Sequence, residues 1–246
     1  MSGQPMSIIE HLDAFRRALI ISLVSLIPGA IVGWLIREDI LRVLMRPVTR
    51  MNYKLVYITA TEAFTTELKI AVFAGIIIAS PIIAYQIWKF FLPALHANEK
   101  RYISIFVPLS VVLFLGGVVF GYFAVFLYGV QFLLSFGGQE LSPMLSLGSY
   151  LSFSLWFLLP FGLMFELPLV ILLLVGLGIV TPQYLSSKRK WVLVASFVVA
   201  AVATPTTDMF TQGVMAAAIY MLFEISLWVS YLIRLKKRTG GTNCKC

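Results

Sequence analysis

The stretch YISIFVPLSVVLFLGGVVFGYFAVFLYGVQFLLSFGGQ, Tyr102 to Gln139, contains 38 consecutive residues and no charged side chain. A transmembrane helix needs about 20 apolar residues to cross a hydrocarbon core about 30 Å thick. Only helices and closed barrels satisfy their backbone hydrogen bonds in that core. Of the 246 residues, 60% are hydrophobic and 12% are charged, which is untypical of soluble globular proteins. The stretch therefore predicts an all-α integral membrane protein.

Further apolar runs on both sides bring the predicted number of membrane crossings to six. They are Ala18–Ile36, Ile70–Trp88, Val107–Leu134, Leu151–Gly178, Trp191–Thr204 and Met209–Ile233. The first run opens with charged residues and lacks a cleavage-like ending, so it is not interpreted as a removable signal peptide. No internal repeat is evident. We expect a single polytopic domain over residues 1–246.

The distribution of Lys and Arg predicts the orientation of this domain. With both termini in the cytoplasm, 13 of the 19 basic residues lie inside, and the other six lie between Arg37 and Lys69. Basic residues mark the cytoplasmic side, so we expect a multi-pass protein of a cell inner membrane with both termini inside. The first external loop is the exception to this distribution, because it is basic although it is expected to lie outside. This topology accounts for the net charge of +8, and lipid rather than nucleic acid is the expected contact.

Residues 1–17 are expected to form a cytoplasmic amphipathic segment. Ser7 and Glu10 fit a capping box, and apolar residues then recur at helical spacing. The polar face of this segment carries His11, Asp13, Arg16 and Arg17. An interfacial membrane anchor would show the same pattern.

Two other segments lie outside the predicted crossings. Residues 37–69 are expected to form an extracytoplasmic cap, with a short helix ended by Pro47, an extended stretch Leu55–Ile58 and a helix start at Thr59–Glu62. Residues 234–246 form a cytoplasmic tail with Cys244 and Cys246. Two cysteines with no nearby histidine make a metal site unexpected, because a zinc site usually needs four ligands.

Prolines inside the apolar runs predict kinked helices and a concave bundle, because each removes a backbone donor. They are Pro28, Pro81, Pro108, Pro160 and Pro168. The fifth and sixth crossings are expected to be short. The 14 residues of Trp191–Thr204 cover only about 21 Å at 1.5 Å per residue, which thins the bilayer or requires shielding by neighbours.

Acidic residues inside the predicted crossings are the strongest functional candidates. Glu166 lies in the fourth crossing, where a carboxylate needs a cavity, a partner or a proton. No Lys or Arg lies in the predicted core to pair with it. Its alternative role is that of a protonated structural acid. Glu224 is a second candidate, and its alternative role is helix packing. Asp208 and Gln212 form a third candidate, and their alternative role is a helix cap.

Glu99 lies in a predicted cytoplasmic loop, where Asn98 caps the next helix and an acid suits the helix dipole. The same carboxylate is also able to bind an arginine-containing peptide. The sequence contains no phosphate-binding glycine loop and no catalytic set for hydrolysis. We therefore expect neither an enzyme nor a cofactor.

Several motifs together resemble TatC, the polytopic core subunit of the twin-arginine protein translocase. The resemblance extends from His11 to about Tyr231. The matching stretches are His11-Leu-x-x-x-Arg16-Arg17; Ser80-Pro81-Ile-Ile-x-Tyr85-Gln86-x-Trp88; Phe91-x-Pro93-Ala94-Leu95-x-x-x-Glu99-Lys100-Arg101; Ser149-Tyr-Leu-Ser-Phe153; Phe161-Gly-x-x-Phe165-Glu166-x-Pro168; Thr204-Pro205 with Asp208-x-x-x-Gln212; and Phe223-Glu224.

The resemblance implies a receptor for folded precursors with an Arg-Arg signal peptide, exported with the proton-motive force. It implies TatA- and TatB-like single-span partners and self-association. Signal-peptide binding then falls on Glu99, Asp13, Arg16, Lys100, Arg101 and His11. The intramembrane acid is Glu166, partner docking falls on Gln212, Glu224 and Asp208, and Pro81 and Pro93 are structural.

The sequence departs from the family pattern at two places. The family usually has an acid two positions before Arg16, where this chain has Ala14, and Asp13 or Glu10 is the candidate replacement. Thr206 and Thr207 alter the family's proline pattern before Asp208.

Two other functions fit the same residues. One is a proton-coupled small-molecule transporter with Glu166, Glu224 and Asp208 as a relay, although such carriers usually show repeats. The other is an assembly scaffold without a transport role.

Overall fold

The computed structural model describes residues 8–91, 99–135, 144–204 and 208–240, which are mostly helical. The helices are α1 (Ile8–Leu35), α2 (Arg37–Arg50), α3 (Ala60–Phe91), α4 (Glu99–Phe120), α5 (Leu127–Ser135), α6 (Leu147–Met164), α7 (Leu167–Gly176), α8 (Pro182–Ser187), α9 (Arg189–Ala203) and α10 (Met209–Gly240). A π-helical turn, Gly121–Phe126, connects α4 to α5. Two short parallel strands, β1 (Leu55–Val56) and β2 (Leu145–Ser146), complete the described elements.

Five helical stretches among the described residues are long and apolar enough to cross a membrane. They are Ile9–Leu35, Ala60–Phe91, Ser104–Ser135, Leu147–Gly176 and Met209–Leu232. The predicted fold class, a helical membrane protein, is confirmed. Helix α9 lies where the fifth crossing was expected and has 15 residues, about 22 Å of helix. A sixth crossing through α9 stays a prediction.

Two details of the sequence analysis are wrong. Helix α2 does not end at Pro47 but continues to Arg50. Pro47 removes only one backbone donor, and it is buried together with Leu44 and Val48. The sixth helix is not short, since α10 has 32 residues and continues past Ile233 into the basic segment. The fourth predicted crossing matches the apolar stretch Leu147–Gly176, in which a turn at Phe165 and Glu166 separates α6 from α7.

The prolines lie largely as the sequence suggested. Pro28, Pro81 and Pro108 are inside α1, α3 and α4, and Pro160 is inside α6. Pro168 is in the first turn of α7, where a proline is well tolerated because its missing donor would be unused. Pro93, Ser7, Asn98 and both cysteines fall outside the described residues.

The chain divides into two compact units, of which the first comprises Met1–Val112 and Pro143–Leu155. Its centre is the close contact of α1 with α3. A Cβ atom on Gly33 would lie 2.5 Å from the carbonyl oxygen of Ala71, and one on Gly29 would lie 2.7 Å from that of Gly75. Small residues allow such backbone approach, which stabilises helix pairs in lipid through van der Waals packing.

Gly33→Ala is expected to destabilise the protein, because the added methyl group meets the α3 backbone and forces the helices apart. Overpacking of this kind costs about 1–3 kcal/mol. Gly116→Ala is the matched control, since a Cβ there meets nothing within 4 Å. Thermal unfolding of the purified protein in detergent should show a lower Tm for Gly33→Ala and an unchanged or higher Tm for Gly116→Ala. Equal Tm values would contradict the close packing.

The second unit comprises Leu113–Ser142 and Trp156–Cys246. Aromatic side chains fill its interior, and Phe157 packs against both Phe126 and Phe161, with ring centroids 5.9 and 5.3 Å apart. Helix α10 packs on α7 and α9. Its buried hydroxyls, Ser226 and Ser230, donate to carbonyl oxygens four residues earlier, at 2.5 and 2.7 Å. These back-bonds satisfy polar groups that lipid would otherwise leave unpaired.

Candidate functional site

Part of the predicted signal-peptide site lies where the start of α1 meets the end of α3. The ring of His11 stacks on that of Phe90, with centroids 4.3 Å apart and planes inclined by 24°. Phe15 contacts the same ring at 5.5 Å. Asp13 and Arg16 lie on the same stretch of α1 and are exposed. The amphipathic segment predicted from the sequence is thus the first part of α1, continuous with the first crossing.

Glu99 is the first residue of α4, followed by Lys100 and Arg101 in the same turn. Seven residues further along, the ring of Phe106 packs on Trp88, with centroids 4.8 Å apart. This contact fixes the beginning of α4 against the last part of α3. The sequence prediction that Glu99 opens a helix is confirmed, and the position suits an acid because the helix N-terminus carries partial positive charge.

Glu166 lies in the turn between α6 and α7. Its φ and ψ are −76° and −16°, and its carbonyl oxygen accepts bonds from the amides of Leu169 and Val170 at 3.0 and 3.1 Å. The side chain is half-buried. The acid therefore occupies the N-terminal position of α7, two thirds of the way along a 30-residue apolar stretch. A carboxyl group at a helix N-terminus is favourably placed by the helix dipole.

Glu224 has a partner that the sequence analysis did not identify. Its Oε2 lies 2.8 Å from a guanidinium nitrogen of Arg189, the first residue of α9. The hydroxyl of Tyr220 donates to its other oxygen at 3.1 Å. The ion pair joins α9 to α10, so the role in helix packing that the sequence left open is the one that the contacts support.

Asp208 and Gln212 lie at the beginning of α10 and form different bonds. A carboxylate oxygen of Asp208 accepts the amide proton of Thr211 at 2.8 Å, and the Thr211 hydroxyl donates to the other oxygen. Asp208 is therefore the cap of α10. The Gln212 side-chain amide donates to the carbonyl oxygen of Phe197, on α9, at 3.4 Å. Gln212 therefore joins α10 to α9 at the end of the hairpin opposite Arg189.

The comparison with known families identifies the chain. The model of the family described as "Sec-independent protein translocase protein (TatC)" matches residues 10–217. The chain belongs to the TatC family. The TatC of Carboxydothermus hydrogenoformans is 43% identical over 98% of this chain and 99% of its own. The TatC of Aquifex aeolicus is 37% identical over 95% of this chain and 98% of its own.

Solved structures agree with these relatives. A crystal structure described as the twin arginine translocase receptor TatC in DDM matches with a TM-score of 0.80 and 35% identity. The match covers 89% of this chain and 99% of the solved one. The resemblance inferred from the sequence motifs is confirmed. As a TatC-family chain, the protein is a multi-pass membrane component of a Sec-independent protein translocase and a part of the Tat complex.

Sequence reasoning about this TatC chain missed the role of Glu62. The two strands pair in parallel, with Leu55 opposite Leu145. The carboxylate of Glu62 accepts the amide protons of Ile58 at 2.7 Å and Gly148 at 2.6 Å, and the Ser146 hydroxyl also donates to it. Glu62 therefore binds the segment before α6 to the start of α3. The signal available in the sequence was the Thr59–Glu62 capping pattern, which identified the helix start only.

A second ion pair stabilises the predicted extracytoplasmic segment. The Nε of Arg37 donates to Glu67 at 2.8 Å, and its guanidinium carbon lies 4.4 Å from the centre of the Trp34 ring. The Tyr150 hydroxyl donates to the carbonyl oxygen of Leu44 at 2.7 Å. These contacts join α1, α2, α3 and α6 within the first unit. The expectation that residues 37–69 form an extracytoplasmic cap stays a prediction, and residues 60–69 belong to α3.

Proposed function

We propose that this chain is the translocase receptor that binds Arg-Arg signal peptides at the cytoplasmic face. The observation that supports the proposal most strongly is the grouping of three elements in the first unit. His11 on α1 stacks on Phe90 near the end of α3, and Phe106 on α4 packs on Trp88. The candidate residues Asp13 and Glu99 are on the segments that these contacts hold.

Glu99 is the main anionic group of the proposed site. A carboxylate forms paired, charge-assisted hydrogen bonds with a guanidinium group, which a lysine ammonium does not reproduce in geometry. Lys100 and Arg101 screen this carboxylate, so a second acid is required for strong binding. Asp13 is exposed on α1 and is the proposed second acid in place of the residue missing at Ala14. Arg16, Lys100, Arg101 and His11 are the other residues proposed for signal-peptide binding, and the ring of His11 stacks on Phe90.

Both termini are proposed to lie in the cytoplasm, with the protein in the cell inner membrane. The distribution of basic residues near the ends of the apolar stretches supports this orientation. The segment around α2 and the two strands then lies outside.

TatA- and TatB-like single-span partners are proposed to dock on the α9–α10 hairpin. Asp208, Gln212 and Glu224 each bond within this hairpin. Their role in docking is therefore to hold the shape of the surface. Exposed apolar side chains, such as those of Val194 and Val198, make the contact with the partner, and self-association of the receptor is proposed as well.

Glu166 is proposed to be the acid that responds to the proton-motive force. A half-buried carboxyl group within an apolar stretch is costly as an anion and stable as a neutral acid. The alternative of a small-molecule proton relay gains no support, because Glu224 is paired with Arg189 and Asp208 caps α10. Both acids are thereby committed to structural bonds.

Protection of a cysteine beside Glu99 tests the proposed binding face and its orientation together. After Cys244 and Cys246 are replaced by serine, Ala97→Cys should react with an impermeant maleimide only from the cytoplasmic side. An Arg-Arg signal peptide should slow this labelling, whereas its Lys-Lys version should not. Arg42→Cys on α2 is the control, and it should react from the opposite side at a rate that neither peptide changes. Labelling of Ala97→Cys from the outside would contradict the proposal.

A further inference from the structure

An apolar groove of about 520 Å³ lies within the second unit, between α6, α7, α9 and α10. Its lining includes Leu163, Leu167, Val192, Val199, Ala203 and Phe223. Leu163 and Val199 are 59% and 47% exposed, so the groove is open on one side. The one hydroxyl in the lining, that of Ser196, donates to the carbonyl oxygen of Leu193 at 2.7 Å. The groove therefore offers its occupant only apolar atoms.

One end of the groove is basic. The lining residues of α9 include Val192, Val199 and Ala203. They lie on one face of the helix, and Lys188 at the N-cap begins that face. Lys188, Arg189 and Lys190 are consecutive and exposed. Arg189 is paired with Glu224, whereas none of the salt bridges among the described residues involves Lys188 or Lys190. The groove thus runs into hydrocarbon from the end of α9 at which Lys188 opens the lining row and Lys190 follows two residues later.

Aromatic side chains mark the same end as a membrane interface. Trp191 and Tyr184 are 70% and 57% exposed, and the ammonium of Lys188 lies 5.6 Å from the centre of the Tyr184 ring. Exposed Trp and Tyr beside basic residues are typical of the headgroup level of a bilayer. Basic clusters next to gaps between helices on the cytoplasmic side bind anionic headgroups.

The length of the groove matches one lipid leaflet. From Val192 to Ala203 the helix rises about 16 Å, which is close to half of a hydrocarbon core about 30 Å thick. An acyl chain anchored by its headgroup extends through that half. A single-span partner helix would cross the full thickness and extend well beyond the groove.

We propose that this groove is a binding site for an anionic phospholipid. The phosphate binds Lys188 and Lys190 beside Trp191, and one acyl chain lies along α9 against Leu167 and Phe223. The lipid fills the space beside a helix that is shorter than the membrane core. This inference depends on the groove and its cations and is independent of signal-peptide binding.

Photolabelling of the purified full-length chain in phosphatidylcholine nanodiscs tests the site. A trace of phosphatidylglycerol with a diazirine on its acyl chain should label peptides that line the groove, as mapped by mass spectrometry. The same diazirine on phosphatidylcholine should label them much less. Lys188→Gln and Lys190→Gln should each weaken phosphatidylglycerol labelling roughly fivefold, the effect of one basic residue near an anionic surface. Lys89→Gln, a cation of the other unit, should leave it unchanged.

A second pair of variants separates the groove from the general lipid surface. Val199→Trp fills the groove and should move the label away from it, whereas Val202→Trp, at an exposed position of α9 outside the lining, should not. Equal labelling by the two lipids, or labelling that the lysine substitutions do not change, would overturn the proposal. A groove that neither lipid labels but that crosslinks to a purified single-span partner would overturn it in favour of a protein contact.

Discussion

Replacing Glu99 by Arg should abolish both crosslinking of an Arg-Arg signal peptide and export of folded precursors. The substitution removes the carboxylate that pairs with guanidinium and places a third positive charge beside Lys100 and Arg101. Loss of one partner of a hydrogen-bonded charge pair costs about 2–5 kcal/mol, so peptide affinity should fall roughly 30-fold or more. Site-specific photocrosslinking in isolated membranes measures the first effect, and a folded reporter measures the second.

Two variants separate the role of the carboxylate from its effect on folding. Glu99→Gln keeps the shape and should lose most of the affinity while the protein remains assembled. Glu38→Arg reverses an exposed acid on α2 and should leave crosslinking unchanged. Unaltered crosslinking with Glu99→Arg would count decisively against the proposed site.

Glu166→Ala should reduce the rate of export by roughly tenfold or more, which corresponds to a rise of about 1.4 kcal/mol or more in the barrier to export. Glu166→Gln should leave the complex assembled. The amide reproduces the size and hydrogen-bonding of a neutral acid but does not exchange a proton. If Glu166 acts by protonation, the Gln variant assembles but exports poorly. If Glu166 is only a structural acid, the Gln variant exports normally and the Ala variant is unstable.

The matched control for Glu166 is Val170→Ala, one helical turn away. Val170 is 43% exposed, so its truncation leaves a small apolar loss on an open surface and should alter export little. Complex assembly is measured by purification of the translocase from membranes, and export by accumulation of a folded reporter outside. Wild-type export by Glu166→Ala would remove this residue from the mechanism.

The helices were the most predictable part of the fold, because uncharged stretches of sufficient length have few alternatives to a membrane helix. Pro47 shows the limit of this reasoning. A proline usually ends a helix, but burial of its ring with Leu44 and Val48 outweighs one lost backbone bond. The turn at Glu166 was also not predicted, because an acid followed by a proline two residues later is equally typical of a kinked continuous helix.

The partners of the acids were less predictable than their positions. The cap formed by Asp208 uses a neighbour three residues away, so its local sequence was sufficient. Glu224 is bonded to Arg189, 35 residues earlier, and Glu62 to Gly148, 86 residues later. Such pairs depend on how helices are arranged in space, which a single sequence does not encode in any local pattern.

The most direct test of the receptor proposal is equilibrium binding of two signal peptides to the purified chain, one with Arg-Arg and one with Lys-Lys at the same positions. Lysine keeps the charge and loses the paired hydrogen bonds to carboxylate. We expect the Arg-Arg peptide to bind roughly tenfold or more tightly, with the difference lost in Glu99→Gln. Equal affinity of the wild-type chain for both peptides would contradict recognition of guanidinium pairs at this face.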